Sequence, residues 1–84
     1  MDRQEFLTLA KDETFVEKGL NHITVKVVEA DPILQTIKHL FYIKNPEDFK
    51  ISKGDLLVLH AVFFTIKEIL MDDGYFSLVS ATDY

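Results

Sequence analysis

The chain has 84 residues, of which 48% are hydrophobic and 27% charged, with no cysteine and a formal net charge of −5. This length supports one domain with a single core, spanning residues 1–84, and the absence of cysteine excludes disulfides and thiolate metal sites. The acidic balance and the scattered basic residues disfavour binding to a phosphate backbone, so we expect no nucleic-acid partner.

The first predicted element is a helix near the N-terminus. Asp2 is a favoured N-cap residue, and Glu5 stands three residues later, which is the spacing of a capping box. Apolar side chains then follow on one face. We therefore predict a helix over about 3–11 that resumes as far as Lys18, so that 3–18 form an N-terminal helical region ending at Gly19.

An alternating pattern follows from His22 to Glu29. Its β-branched residues recur at every second position, which predicts a strand and the start of an antiparallel β unit over about 22–84. Asp31-Pro32 ends this strand, because proline has no N–H for the ladder and restricts the residue before it.

The run from Gln35 to Lys44 fits two structures. As a helix it has Asp31 as its cap and an apolar side, whereas as a strand its side chains alternate between two faces. The sequence Leu40-Phe41-Tyr42-Ile43 is strongly β-prone, so we place a strand at about 39–44. The conformation of residues 33–38 stays open.

The middle of the chain contains two groups of residues that favour turns. We predict a turn or a single helical turn over Asn45 to Asp48, a short strand or bridge over Phe49 to Ile51, and a second turn over Ser52 to Asp55. Gly54 suits the second turn, because glycine adopts a positive φ at little cost.

The last segment holds the clearest signal in the chain. Two apolar runs, Leu56 to Leu59 and Val62 to Leu70, precede Asp72-Asp73-Gly74, and Tyr75 to Val79 follow. An Asp-Gly pair between β-prone runs is typical of a β-hairpin with a type I′ turn, which has positive φ at both central residues. The alternative is one helix over 55–72, but five consecutive residues from Val62 have poor helix propensity, so we favour strands.

Together these elements predict an α+β protein that is mainly β: a small antiparallel β-barrel or sandwich with an N-terminal helix.

The residues that could carry chemistry form no recognisable site in the sequence. The three histidines lack helical metal-site spacing, and no serine lies in a nucleophile-elbow pattern. Glu47-Asp48 and Asp72-Asp73 lie in turns, where carboxylates bond nearby backbone N–H groups. We predict no enzyme activity, catalytic residue, metal site or cofactor.

Aromatic residues point instead to a protein contact. Successive side chains of a strand face opposite sides of a sheet, and both faces of residues 62–66 are apolar. A domain this small also gains stability from a partner, so we expect self-association or another protein to bind. The candidate interface residues are Phe41, Tyr42, Phe63, Tyr75 and Tyr84.

Four stretches of the chain occur in a recognisable order: an aromatic strand with a basic end, Lys-Gly-Asp before an apolar strand, an aromatic strand start, and an Asp/Gly turn. They are Leu40-Phe41-Tyr42-Ile43-Lys44, Ser52-Lys53-Gly54-Asp55-Leu56-Leu57-Val58, Phe64-Thr65-Ile66-Lys67-Glu68-Ile69 and Asp72-Asp73-Gly74. In this order they resemble the head–tail joining (connector) proteins of tailed phages, particularly those of the lambda type. The chain departs from that family where a long loop is short, between Val28 and Phe41, and in its brief C-terminal tail.

This resemblance implies a structural role, in which copies of the protein assemble as a ring between the portal and the tail. The expected location is the virion or the host cytoplasm. We see no secretion signal and no apolar run long enough for a bilayer, so we expect neither secretion nor membrane insertion. The alternative function is a small acidic protein-interaction module, such as a phage-encoded inhibitor or adaptor of a host protein.

Overall fold

The computed structural model of the chain describes residues 1–30 and 39–83, with the side chain of Asp12 excepted. Its elements are α1 (Arg3–Leu9), β1 (Asp12–Lys18), β2 (Asn21–Glu29), β3 (His39–Lys44), β4 (Leu56–Leu59), β5 (Val62–Asp72) and β6 (Phe76–Asp83). The strands pair antiparallel in the order β1-β2-β3-β6-β5-β4, and β4 returns to β1 and closes a barrel. This architecture confirms the predicted mainly β fold with an N-terminal helix. No helix in the described part of the chain has the length and apolar character needed to cross a membrane.

The helix α1 is shorter than the sequence predicted. Asp2 caps it by accepting a hydrogen bond from the Glu5 N–H at 2.8 Å, as expected. The predicted continuation to Lys18 is wrong, because residues 12–18 form β1. The physical reason is the period of burial: Thr14 and Val16 are buried while Glu13 and Phe15 are exposed, which is the period of a strand and not of a helix.

Gly19 therefore belongs to a hairpin rather than to the end of a helix. Its φ is +61°, and together with Leu20 it joins β1 to β2, with Lys18 opposite Asn21. The predicted strand over His22 to Glu29 is confirmed. So is the predicted strand at 39–44, whereas the open segment 33–38 lies outside the described residues.

Two apolar clusters hold these elements together. The larger one fills the barrel interior with inward side chains from all six strands and from Ile51. The smaller one lies outside the sheet, where the Phe6 ring stacks on Phe76 with their centroids 5.1 Å apart. Phe6 has no exposed surface, and complete burial of such a side chain contributes about 1.5–3 kcal/mol. This contact attaches α1 to the barrel.

The predicted short strand over Phe49 to Ile51 is absent, because these residues pair with no strand of the described chain. Their side chains serve the core instead: Ile51 is 4% exposed and Phe49 packs against the same cluster. The turn that follows is as predicted. Gly54 has a φ of +95°, and its N–H donates to the carbonyl of Ile66 on β5 at 2.8 Å.

The segment 55–72 contains two strands, which excludes the single-helix alternative. β4 and β5 are joined by His60 and Ala61, whose φ angles of +50° and +65° both lie in the left-handed region. A two-residue turn of this kind is type I′, formed here without glycine. The sequence did not reveal this turn.

The hairpin at 72–74 joins β5 to β6, as predicted. Its turn is not type I′, because Gly74, with a φ of +93°, is the only residue of the turn with a positive φ. The carboxylate of Asp73 stabilises the turn instead. It accepts hydrogen bonds from the N–H groups of Tyr75 at 2.8 Å and Phe76 at 3.0 Å.

Candidate protein-binding surface

A row of apolar side chains crosses three strands on the outer face of the barrel. Phe15 of β1 stands opposite Val58 of β4, and Val58 stands opposite Phe63 of β5. Phe15 is 48% exposed and Phe63 is 44% exposed. We call these three residues the Phe15 row. Apolar side chains displayed side by side on a sheet face are typical of a surface that binds protein.

The alternation of each strand produces the Phe15 row. Thr14 and Val16 point into the barrel, so Phe15 between them points out. Phe64 faces the core at 7% exposure, so Phe63 faces outward in the same way. Because the partners are in register, the three outward positions fall on one line across the sheet.

Polar groups border the Phe15 row. On β1, Glu17 lies 3.5 Å from the Nε2 atom of His22, and Glu13 stands opposite Lys26 on β2. Thr24 stands opposite Phe15 at the end of the row. An apolar centre with a polar border is the usual anatomy of a protein interface.

The four predicted interface residues that the structure describes lie in three different environments. Phe41 is fully buried in the core, where its ring lies 5.1 Å from that of Phe64, so it is unavailable to a partner in the folded chain. Tyr42 and Tyr75 are part-buried and pack against the cluster under α1. Phe63 is in the Phe15 row, and Tyr84 lies outside the described residues.

Sequence reasoning missed Phe15 and Val58. Phe15 lies in the predicted helical region over 3–18, so the sequence does not indicate that it faces outward on a strand. The signal that could have found it is Thr14-Phe15-Val16, three consecutive residues of high β propensity in β1.

Tyr75 lies between two cations at the base of α1. The guanidinium carbon of Arg3 is 5.6 Å from the centroid of the Tyr75 ring, and the Nζ atom of Lys44 is 4.6 Å from it. Arg3 also donates to the Asp73 carboxylate at 3.2 Å and to the Asp73 carbonyl at 2.9 Å. These contacts bind the helix to the turn at 72–74, so Tyr75 has a structural role.

Hydrogen bonds hold the pKa of both turn carboxyls below its usual value. For Asp73 the largest cause is the N–H of Phe76, and partial desolvation opposes it. For Asp72 the largest cause is the N–H of Gly74, which donates at 2.8 Å, followed by the side-chain amide of Asn45. Both carboxylates are thus occupied by their own turn, as the sequence predicted for turn carboxylates.

The Lys-Gly-Asp stretch has an equally local explanation. The carboxylate of Asp55 is buried and accepts from the N–H of Ser52 at 2.8 Å. The Nζ atom of Lys18 lies 3.3 Å from Asp55, and it also donates to Ser52 Oγ at 2.9 Å and to the Lys50 carbonyl at 3.2 Å. This cluster fastens the 52–55 turn to the end of β1.

The described residues contain no group of three or more histidine, aspartate or glutamate side chains placed to hold a metal ion. The histidines stand apart: His22 is beside Glu17, His39 is between Glu29 and Asp83, and His60 is in a turn. Two open grooves flank residues 45–48, with volumes of about 450 and 300 Å³.

Comparison of the chain with protein-family models, with curated proteins and with solved structures finds no match.

Proposed function

We propose that this protein is a non-catalytic structural subunit of a phage head–tail connector, which assembles as a ring between portal and tail. The Phe15 row is the observation that carries the proposal. Two half-exposed phenyl rings flank Val58 on the outer face of a barrel whose other outer cluster is already packed against α1. A ring subunit needs a permanent side-to-side contact, and an apolar row with a polar border supplies one.

The closed barrel affects how such a subunit would associate. An open sheet offers free edge strands to its neighbours, but β4 pairs with β1 here, so contact through the Phe15 row is made by side chains. The order of motifs from Leu40 to Gly74 supports the connector identity, and the formal charge of −5 is consistent with a protein partner rather than a nucleic acid.

The experiment is sedimentation velocity of the purified chain over a range of concentrations, combined with chemical cross-linking. We expect ring-sized assemblies that grow with concentration. Phe15→Thr places another residue of high β propensity in β1 but removes the phenyl ring, so it should shift the equilibrium to monomer. The control is Leu20→Thr, because Leu20 is 99% exposed, lies in the β1–β2 turn and is not part of the row.

A chain that stays monomeric at every concentration would contradict the ring. The alternative is a small acidic module that acts as an inhibitor or adaptor of a host protein. It would then be favoured if the chain bound a purified host protein and the Phe15→Thr variant lost that binding. Neighbouring genes give a second test. Portal, capsid and tail genes beside this one support the connector, and an isolated early-expressed gene counts against it.

A further inference from the structure

The barrel is not equally closed along its length. β2 and β3 pair only where Val27 to Glu29 meet Phe41 to Ile43. β3 then ends at Lys44 and the chain turns away at Asn45-Pro46, while β2 extends back to Asn21. Among the described residues, none forms a strand ladder with residues 21–26 on the side of β2 that faces away from β1.

The larger groove lies at this gap, and we call it the β2 groove. Its volume is about 450 Å³, which is within the range of binding pockets. One wall is β2 from Ile23 to Lys26, and the other is the chain from Lys44 to Asp48. Phe6 and Leu7 of α1 line it as well, together with Glu13 and Tyr75.

The direction of the β2 backbone groups follows from the hairpin. In a hairpin with a two-residue turn, the closing pair, here Lys18 and Asn21, exchanges hydrogen bonds, and every second pair after it does the same. The odd-numbered residues of β2 therefore bond to β1, and the even-numbered ones point away. The N–H of Ala30 donates to the Leu40 carbonyl of β3 at 2.8 Å, which agrees with this parity. The N–H and C=O groups of Thr24 and the N–H of Lys26 thus face the β2 groove. The Lys26 carbonyl instead accepts from the N–H of Lys44, because Val27 and Ile43 form a non-hydrogen-bonded pair and this bond flanks it.

We propose that the β2 groove binds an extended segment of a partner protein, which pairs with β2 as a short added strand in line with β3. Unpaired backbone groups on a strand edge are a template for another strand, and main-chain hydrogen bonds give such binding its affinity. Thr24 and Lys26 offer two donors and one acceptor in one row. This site uses the backbone of β2 and not the apolar side chains of the Phe15 row, although Thr24 and Lys26 also border that row, and it does not depend on ring formation.

The surroundings of the groove define the chemistry of the segment. Every second side chain of the bound segment points toward the barrel interior. There it contacts Val25, which is buried, and Ile23, which is part-buried, so these positions of the segment are small and apolar. The groove is lined by the carboxylates of Glu13, Glu47 and Asp48 and by the ammonium groups of Lys26 and Lys44, a net charge of −1. Glu13 stands opposite Lys26, so the excess negative charge lies on the opposite wall, where Glu47 and Asp48 are both exposed. The segment therefore carries a lysine or arginine where it passes Glu47 and Asp48.

Amide hydrogen exchange on the free, full-length chain tests the premise. We expect the amides of Thr24 and Lys26 to exchange much faster than those of Ile23 and Val25, because only the latter pair donates to β1. Equal protection of Thr24 and Val25 would overturn the proposal, since it would mean that the outward N–H groups already have partners.

Binding is tested with a displayed library of random heptapeptides selected on the immobilised full chain. The proposal requires peptides with alternating small apolar residues and basic flanks, and their binding should slow exchange at Thr24 and Lys26. Thr24→Pro removes one outward N–H without breaking a bond to β1, so it should weaken binding about ten-fold or more.

The matched control is in the peptide, so it remains informative if Thr24→Pro does not fold. N-methylation of an amide that faces β2 should abolish binding, and N-methylation of the next amide, which faces away, should change it by less than about two-fold. A selection that yields no peptide, peptides that leave Thr24 and Lys26 unprotected, or equal effects of the two N-methylated forms would each overturn the proposal.

Discussion

The turn between β4 and β5 stores backbone strain that one substitution should release. Ala61 has a φ of +65°, is exposed, and follows His60 at +50°. A left-handed conformation costs an L-residue about 1–2 kcal/mol, and histidine tolerates it better than alanine does. Glycine has no such penalty but loses about 0.5–1 kcal/mol of extra chain entropy on folding. Ala61→Gly should therefore stabilise the fold by about 0.5–1 kcal/mol.

The assay is urea unfolding followed by circular dichroism, with thermal melting as a second measure. For a domain of this size the gain corresponds to about 2–8 °C in Tm. Ala30→Gly is the matched control, because Ala30 has no positive φ and the same substitution there should destabilise the chain by about 0.5–1 kcal/mol. If Ala61→Gly were neutral, or as destabilising as Ala30→Gly, the strain argument would be refuted.

Five further variants test other parts of the fold. Gly74→Ala should cost about 1 kcal/mol in urea unfolding because of the φ of +93° and not because of a clash, since the added Cβ would meet only a side-chain nitrogen at 3.7 Å. The folded pKa of Asp73 is lowered, so its ionised form stabilises the fold above the unfolded value of about 3.9, and this stabilisation is lost as the pH falls below it. Asp73→Asn should accordingly flatten the loss of stability below about pH 4 in acid titrations, and an unchanged slope would contradict the linkage. Asp55→Ala should cost about 1–3 kcal/mol, because the Ser52 N–H loses its acceptor, and Lys18→Met should cost less, because Lys18 is part-exposed. Thr14→Val should stabilise by about 1 kcal/mol, because the Thr14 hydroxyl is buried without a hydrogen-bond partner among the described residues; a destabilised variant would show that this hydroxyl is bonded.

Local chemistry in the sequence predicted much of the fold. The alternation of β-branched residues from His22 to Glu29 identified β2, and the Asp-Gly pair before Tyr75 identified the β5–β6 hairpin. The Asp2 cap located the start of α1 correctly. Each of these signals depends on residues close together in the chain, which is why sequence reasoning could detect them.

The errors came from features that local signals do not determine. Gly19 suits both a helix C-terminus and a hairpin turn, so the segment before it was predicted as a helix although it forms β1. In Leu40-Phe41-Tyr42-Ile43 every side chain is apolar or aromatic, so the pattern could not tell that Phe41 faces the core. The Phe15 row depends on the pairing of β1 with β4, two strands that are distant in sequence, and the β2 groove depends on where β3 ends.

The seam between β1 and β4 also has a consequence for the order of folding. It joins Phe15–Glu17 to Leu56–Val58, although β2, β3 and the 45–55 loop lie between them in the chain. Forming this long-range pairing costs the loop-closure entropy of about 40 residues before its contacts can stabilise it. The three hairpins, β1–β2, β4–β5 and β5–β6, close over short turns. We therefore expect the hairpins to form first and the seam to form last. The same short ladder is where the native barrel should open first, exposing Phe15 and Val58 together with the interior behind them.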